Sequence, residues 1–161
     1  MGLFNSWVLW GLLAGGTVWV AYRQRDTMKK PILCLDFDGV IHSYSSGWKG
    51  ARNIPDPPVD GALEFMLAAL PNWDVVIHSS RGRYLGGIRA MRNWLYRHAL
   101  KAGVWYETGL GVTDGLEQVR FSRWKPSALI TIDDRALTFD GTWPELKSLK
   151  EFKPWNKRNS K

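Results

Sequence analysis

Asp36 and Asp38 stand two residues apart at the end of an apolar run, Pro31-Ile-Leu-Cys-Leu-Asp36-Phe-Asp38-Gly39-Val-Ile41. Side chains alternate along a strand, so the two carboxylates project to the same side, and a strand that stops on acids and glycine delivers them to a site. About 4 Å apart, such a pair repels by roughly 4 kcal/mol at an effective dielectric of about 20, which calls for a proton or a cation. Two further runs end in the same manner. Asp74-Val-Val-Ile-His-Ser79-Ser80-Arg81-Gly82 finishes on hydroxyls, and Ala128-Leu-Ile-Thr-Ile-Asp133-Asp134 finishes on paired acids, with Lys125 just ahead of it. As buried strands of one sheet, the three runs bring Asp36, Asp38, Asp133 and Asp134 to one end, with Ser79 and Lys125 beside them. Four carboxylates cannot all ionise there without a cation, and oxygen donors without histidine or thiolate suit Mg²⁺. One hydroxyl and one ammonium complete a pocket for a dianionic phosphoryl group; Ser79 is preferred to Ser80 because it comes first after the apolar run.

The elements that must position these groups follow from composition and spacing. Gly61–Leu70 is helical in composition and ends at Pro71-Asn72, so the first two strands and this helix form a βαβ unit, with a parallel sheet expected. Gly86–Ala102 is an amphipathic helix with Ile88, Met91, Leu95 and Ala99 inward, and Arg89, Arg92, Arg97 and Lys101 on a face that reads as solvated. His78 and His98 read as structural residues. Residues 42–58 form a connection of seventeen residues rich in turn formers, longer than ordinary loops. Its Tyr44, Trp48, Lys49 and Arg52 suit a flap that stacks on a base or sugar and pairs with phosphate. The plainer alternative is a surface loop whose Trp48 merely packs down. Val104–Tyr106 is expected as a strand, Thr138-Phe139 as an added edge strand, and Pro144–Phe152 as a closing helix with Pro144 in its first turn.

The net charge of +7 resides at the two ends. Residues 1–30 carry four basic side chains against one acid and residues 147–161 carry six against one, whereas residues 31–146 carry twelve against thirteen. That distribution favours anionic lipid at the flanks over a general nucleic-acid groove in the domain. Leu3–Tyr22 runs about twenty residues without a charge, roughly 30 Å as a helix, with Trp7, Trp10, Trp19 and Tyr22 toward its ends and Arg23 and Arg25 following. This predicts a single membrane span with the following domain in the cytoplasm by the positive-inside rule, the alternative being a soluble cytoplasmic protein. The single cysteine, Cys34, lies inside the first strand and permits no intrachain disulfide. The organisation expected is therefore a spanning helix over 1–22, a basic linker over 23–30, one domain over 31–152 and a basic tail over 153–161.

In the order and chemistry of its motifs the chain resembles the haloacid dehalogenase-like superfamily of phosphohydrolases. Asp36-Phe-Asp38-Gly39-Val matches the first motif, Ile77-His-Ser79-Ser80-Arg81 the second, Lys125 the third, and Ile130-Thr-Ile-Asp133-Asp134 the fourth. The match covers residues 31–144. The departures are serine in place of threonine in the second motif and a spacing of eight positions from Lys125 to Asp133. The resemblance implies a Rossmann-like three-layer α/β/α fold with a mainly parallel central sheet, here without a separate cap domain. It implies Asp36 as the nucleophile that becomes an aspartyl phosphate, and Asp38 as the acid and base. It also implies Mg²⁺ held by Asp36, the main-chain carbonyl of Asp38, Asp133 and Asp134, with Ser79 and Lys125 on the transferring phosphoryl group. Ser80, Arg81, Trp48, Lys49 and Arg52 are the expected substrate-binding residues. A nucleotide, a nucleic-acid end, a sugar phosphate or a phosphoprotein fits as substrate; nucleic acid is thus an allowed partner, not a required one. A catalytically silent, membrane-tethered interaction module of the same fold is the alternative. A receiver domain places its lysine last, whereas an acid pair follows Lys125 here. A two-metal nuclease gives Ser79 and Lys125 no common task.

Overall fold

The computed structural model describes residues 29–103 and 112–158. The segment read as a membrane span, the strand expected over 104–106 and the last residues of the basic tail lie outside the described residues. Among the described residues no helix is long and apolar enough to cross a membrane.

Four short strands form one parallel sheet: β1 (Ile32–Leu35), β2 (Asp74–His78), β3 (Arg120–Ser122) and β4 (Ile130–Ile132), in the order β3-β2-β1-β4. β1 and β2 are buried on both faces and read as continuous apolar runs, as interior parallel strands do. Between β1 and β2 lies α1 (Ala62–Ala69); between β2 and β3 lie a 3₁₀ turn (Ser80–Arg83), α2 (Gly87–Ala102) and α3 (Val112–Glu117). The βαβ reading is borne out as a mixed α/β fold. β3 was not expected, and the helix expected over Pro144–Phe152 narrows to α4 (Leu146–Lys150), two residues after Pro144. Thr138-Phe139 is not a strand. A second short helix, α5 (Trp155–Arg158), follows within the stretch read as tail.

Leu33, Leu35, Val75 and Ile77 lie on one sheet face, packed with Leu63, Met66 and Leu67 of α1 and Met91, Trp94 and Leu95 of α2. The inward stripe of α2 holds as expected at Met91, Leu95 and Ala99, with Trp94 added at its centre. Trp94 is wholly buried, and its indole N–H donates to Asp56 O at 3.1 Å, which satisfies the one polar atom of a large apolar side chain. Gly87 begins α2 where a Cβ would collide with the main-chain carbonyl of Arg81, so glycine lets the 3₁₀ turn lie directly against the helix.

Candidate functional site

The register of the sheet assembles the acids. Leu35 pairs with Ile132, and Asp36 N–H donates to Ile132 O at 2.9 Å, so the residues that follow each strand, Asp36 and Asp133, leave the sheet side by side. Carboxylate oxygens of Asp36, Asp133 and Asp134 lie within 4.8 Å of one another. The Asp134 side chain is entirely buried although its main chain is partly open, and neither oxygen has a hydrogen-bond partner among the described residues; Arg135 Nε stands 3.6 Å away. A buried carboxylate left without donors is costly unless a proton or cation meets it.

Protonation behaviour agrees. Burial, reinforced by the charges of Asp133, Asp38 and Asp134 and opposed by a main-chain hydrogen bond from Phe37, pushes the Asp36 carboxyl up to about 7. Burial also raises Asp134, with Arg135 opposing and Asp133 adding to the rise. The donor set is three carboxylates with no nitrogen or sulfur, and it fits a hard divalent cation.

Gly39 makes the cluster possible. Its φ of +92° suits glycine, and a Cβ there would occupy the space of the Asp134 carboxylate. The turn that follows is held by Ile41 N–H and His42 N–H, both donating to Phe37 O, and by Gly39 N–H donating to His42 O at 2.7 Å.

Asp38 does not join the cluster with its side chain. Arg81 Nε donates to both its oxygens, at 3.0 and 2.7 Å, and His42 Nδ1 lies 2.8 Å from Oδ1. Arg81 and His42 are fully buried. His42 Nε2 faces Asp56 at 3.6 Å, and Asp56 in turn accepts from Ser46 N–H and Oγ–H, which hold it below the usual carboxylate range against the burial that raises it. Arg81 Nη1 donates to the carbonyls of Gly50, Ala51 and Asn53, at 2.7, 3.3 and 3.3 Å, so one guanidinium fastens the long loop to the acid site. Trp48 covers it, with Arg81 Cζ 4.7 Å from the ring centroid.

Ser79 reaches the same sheet end, is buried, and caps the 3₁₀ turn by accepting from Arg81 N–H at 3.3 Å. Ser80 is exposed in the first position of that turn. Lys125 is exposed; burial pushes the Cys34 thiol up, and the Lys125 charge opposes that rise only in part. Lys49 is exposed on the loop, and the aliphatic part of Arg52 lies close enough to Gly86 that a Cβ there would be 3.0 Å from its Cδ.

Three participants were missed in the sequence. His42 and Asp56 flank the loop as the far members of a chain running from Asp38, and only the position of a histidine four residues after an acid in a turn hinted at the first. Trp155 of α5 donates its indole N–H to Gly39 O at 2.7 Å, and Asn156 donates to Ser43 O at 3.3 Å, so α5 rests on both ends of the turn that carries His42. Comparison with protein-family models, with curated proteins and with solved structures found no match.

Proposed function

We propose that the chain is a Mg²⁺-dependent phosphatase of the haloacid dehalogenase-like type, hydrolysing phosphomonoesters through an aspartyl phosphate on Asp36. The observation that carries this reading is the convergence of the Asp36, Asp133 and Asp134 carboxylates within 4.8 Å, with two oxygens of buried Asp134 unpartnered. Held by these three side chains and the Asp38 carbonyl, Mg²⁺ would neutralise charge on the phosphoryl group and keep Asp36 ionised.

In this reading Asp36 attacks phosphorus, and the bond from phosphorus to the leaving oxygen breaks. Asp38 gives that oxygen its proton and later takes one from the water that cleaves the acyl phosphate. Arg81 and His42 fix the Asp38 side chain, and Asp56 stands behind the imidazole. Ser79 and Lys125 are assigned to the phosphoryl oxygens; Ser79 is at the correct sheet end, and Lys125 would swing in from its exposed position.

The finer architecture proposed is the Rossmann-like three-layer arrangement, tethered by a span over 1–22 with the catalytic domain in the cytoplasm. The silent tethered module is the competing account. Phosphate release from a panel of phosphomonoesters by the full chain in detergent, with Mg²⁺ or EDTA, separates the two. Metal-dependent release that disappears in Asp36→Asn supports the phosphatase. No release from any ester by a folded, Mg²⁺-binding protein supports the module.

A further inference from the structure

From Asp38 a continuous chain of contacts leads away from the carboxylates. Arg81 joins Asp38 to Trp48, and the Trp48 ring lies 5.8 Å from that of Tyr84, which comes from the turn before α2. Both rings are open to solvent, Trp48 by 45% and Tyr84 by 56%. Two large aromatics from separate segments, tilted 46° to one another, are left exposed together outside the core. Two residues past Tyr84, Arg52 stands beside Gly86, its Cδ 3.0 Å from where a Cβ would lie, and Arg52 lines a cleft of about 760 Å³. Arg92, Asn93, Tyr96 and Arg97 of α2 line this cleft, with Glu117 the acid among them. Residues 31–146 carry almost no net charge, so three arginines on one cleft are a local concentration.

We infer that this surface holds a single-stranded nucleic-acid end, with a terminal base on Trp48 and Tyr84 and the following phosphates along Arg52, Arg92 and Arg97. The inference rests on reading the carboxylate cluster as a phosphoryl-transfer site, and it names the substrate class of that site. A sugar phosphate, even stacked on a ring, would leave the cleft without a task. A mononucleotide would leave the cleft unused. Aromatic stacking tolerates any base, so the preference is for strand over sequence.

The test is fluorescence anisotropy of a short, dye-labelled single-stranded oligonucleotide without terminal phosphate, titrated with the full chain in non-ionic detergent. The probe cannot be hydrolysed, so the outcome is independent of turnover. Three arginines on phosphates give a slope of about −2 in log affinity against log salt, and Arg97→Gln makes it shallower by about 0.7. Trp48→Leu or Tyr84→Leu weakens binding about tenfold with the slope unchanged, while Trp48→Phe, which keeps a ring, binds like the parent. Absence of binding, or salt-dependent binding that none of these substitutions alters, overturns the inference; the second result assigns the strand to the basic ends of the chain. Binding as described from a protein that releases no phosphate overturns the phosphatase and leaves the strand site standing.

Discussion

The carboxylate of Asp134 fills the space that a side chain on Gly39 would need, so the turn after β1 and the acid pair after β4 interlock. Gly39→Ala forces both a left-handed backbone on alanine and a collision with a buried carboxylate. We expect a stability loss of about 2–4 kcal/mol by denaturant unfolding, together with weaker Mg²⁺ binding by calorimetry. Unchanged Mg²⁺ affinity in a folded variant would remove Asp134 from the metal set.

Raising Asp36 to about 7 has a sign that can be checked. Between about pH 4, where an unfolded aspartate titrates, and about pH 7, the metal-free folded protein holds a proton the unfolded chain has lost. Stability therefore falls as pH rises through that window and stays lowered above it. On the proposed reading Mg²⁺ would replace the proton, so millimolar Mg²⁺ should raise Tm more near pH 8 than near pH 5. Asp36→Asn should stabilise the metal-free protein near pH 8 by about 1–2 kcal/mol after solvent screening, and should abolish the response to Mg²⁺. A Mg²⁺ shift in Tm independent of pH would contradict this.

Removing Arg81 strands a buried acid. Arg81→Met should cost about 3–5 kcal/mol, because Asp38 loses its cation and the carbonyls of Gly50, Ala51 and Asn53 lose their donor. Asp38→Asn in the same chain should recover part of that loss without restoring phosphate release. A double-mutant cycle measures the coupling, and strict additivity would deny it.

The contact of α5 with the turn after β1 predicts that Trp155→Phe, which deletes the donor to Gly39 O and keeps an aromatic ring, costs about 1 kcal/mol. Faster amide exchange at Gly39, Ile41 and His42 is the expected signature. Protection unchanged at those three amides would make the contact incidental.

Much of the scaffold and the acid set was legible because it rests on local pattern. Apolar runs ending in Asp36, Ser79 and Asp133 mark strands whose ends share a site, and the stripe through Met91, Leu95 and Ala99 marks a helix face. β3, with only Arg120, Phe121 and Ser122, carries no periodicity that three residues could display; its pairing with Val76, Ile77 and His78 is a tertiary choice. The side-chain direction of Asp38 was equally hidden, since alternation along an ideal strand ends at the turn and the partner, Arg81, comes from forty-three residues away. The roles of His42, Asp56 and Trp155 depend on long-range closure of loops, which leaves no trace in spacing.

The most direct measurement is to incubate the protein with a phosphomonoester and Mg²⁺, quench it, reduce it with borohydride and locate any modified residue by mass spectrometry. An aspartyl phosphate is an acyl phosphate and is reduced to homoserine. The account predicts homoserine at position 36, absent without Mg²⁺ and absent in Asp36→Asn. Phosphate release with position 36 unmodified, or with the modification at another acid, would contradict it.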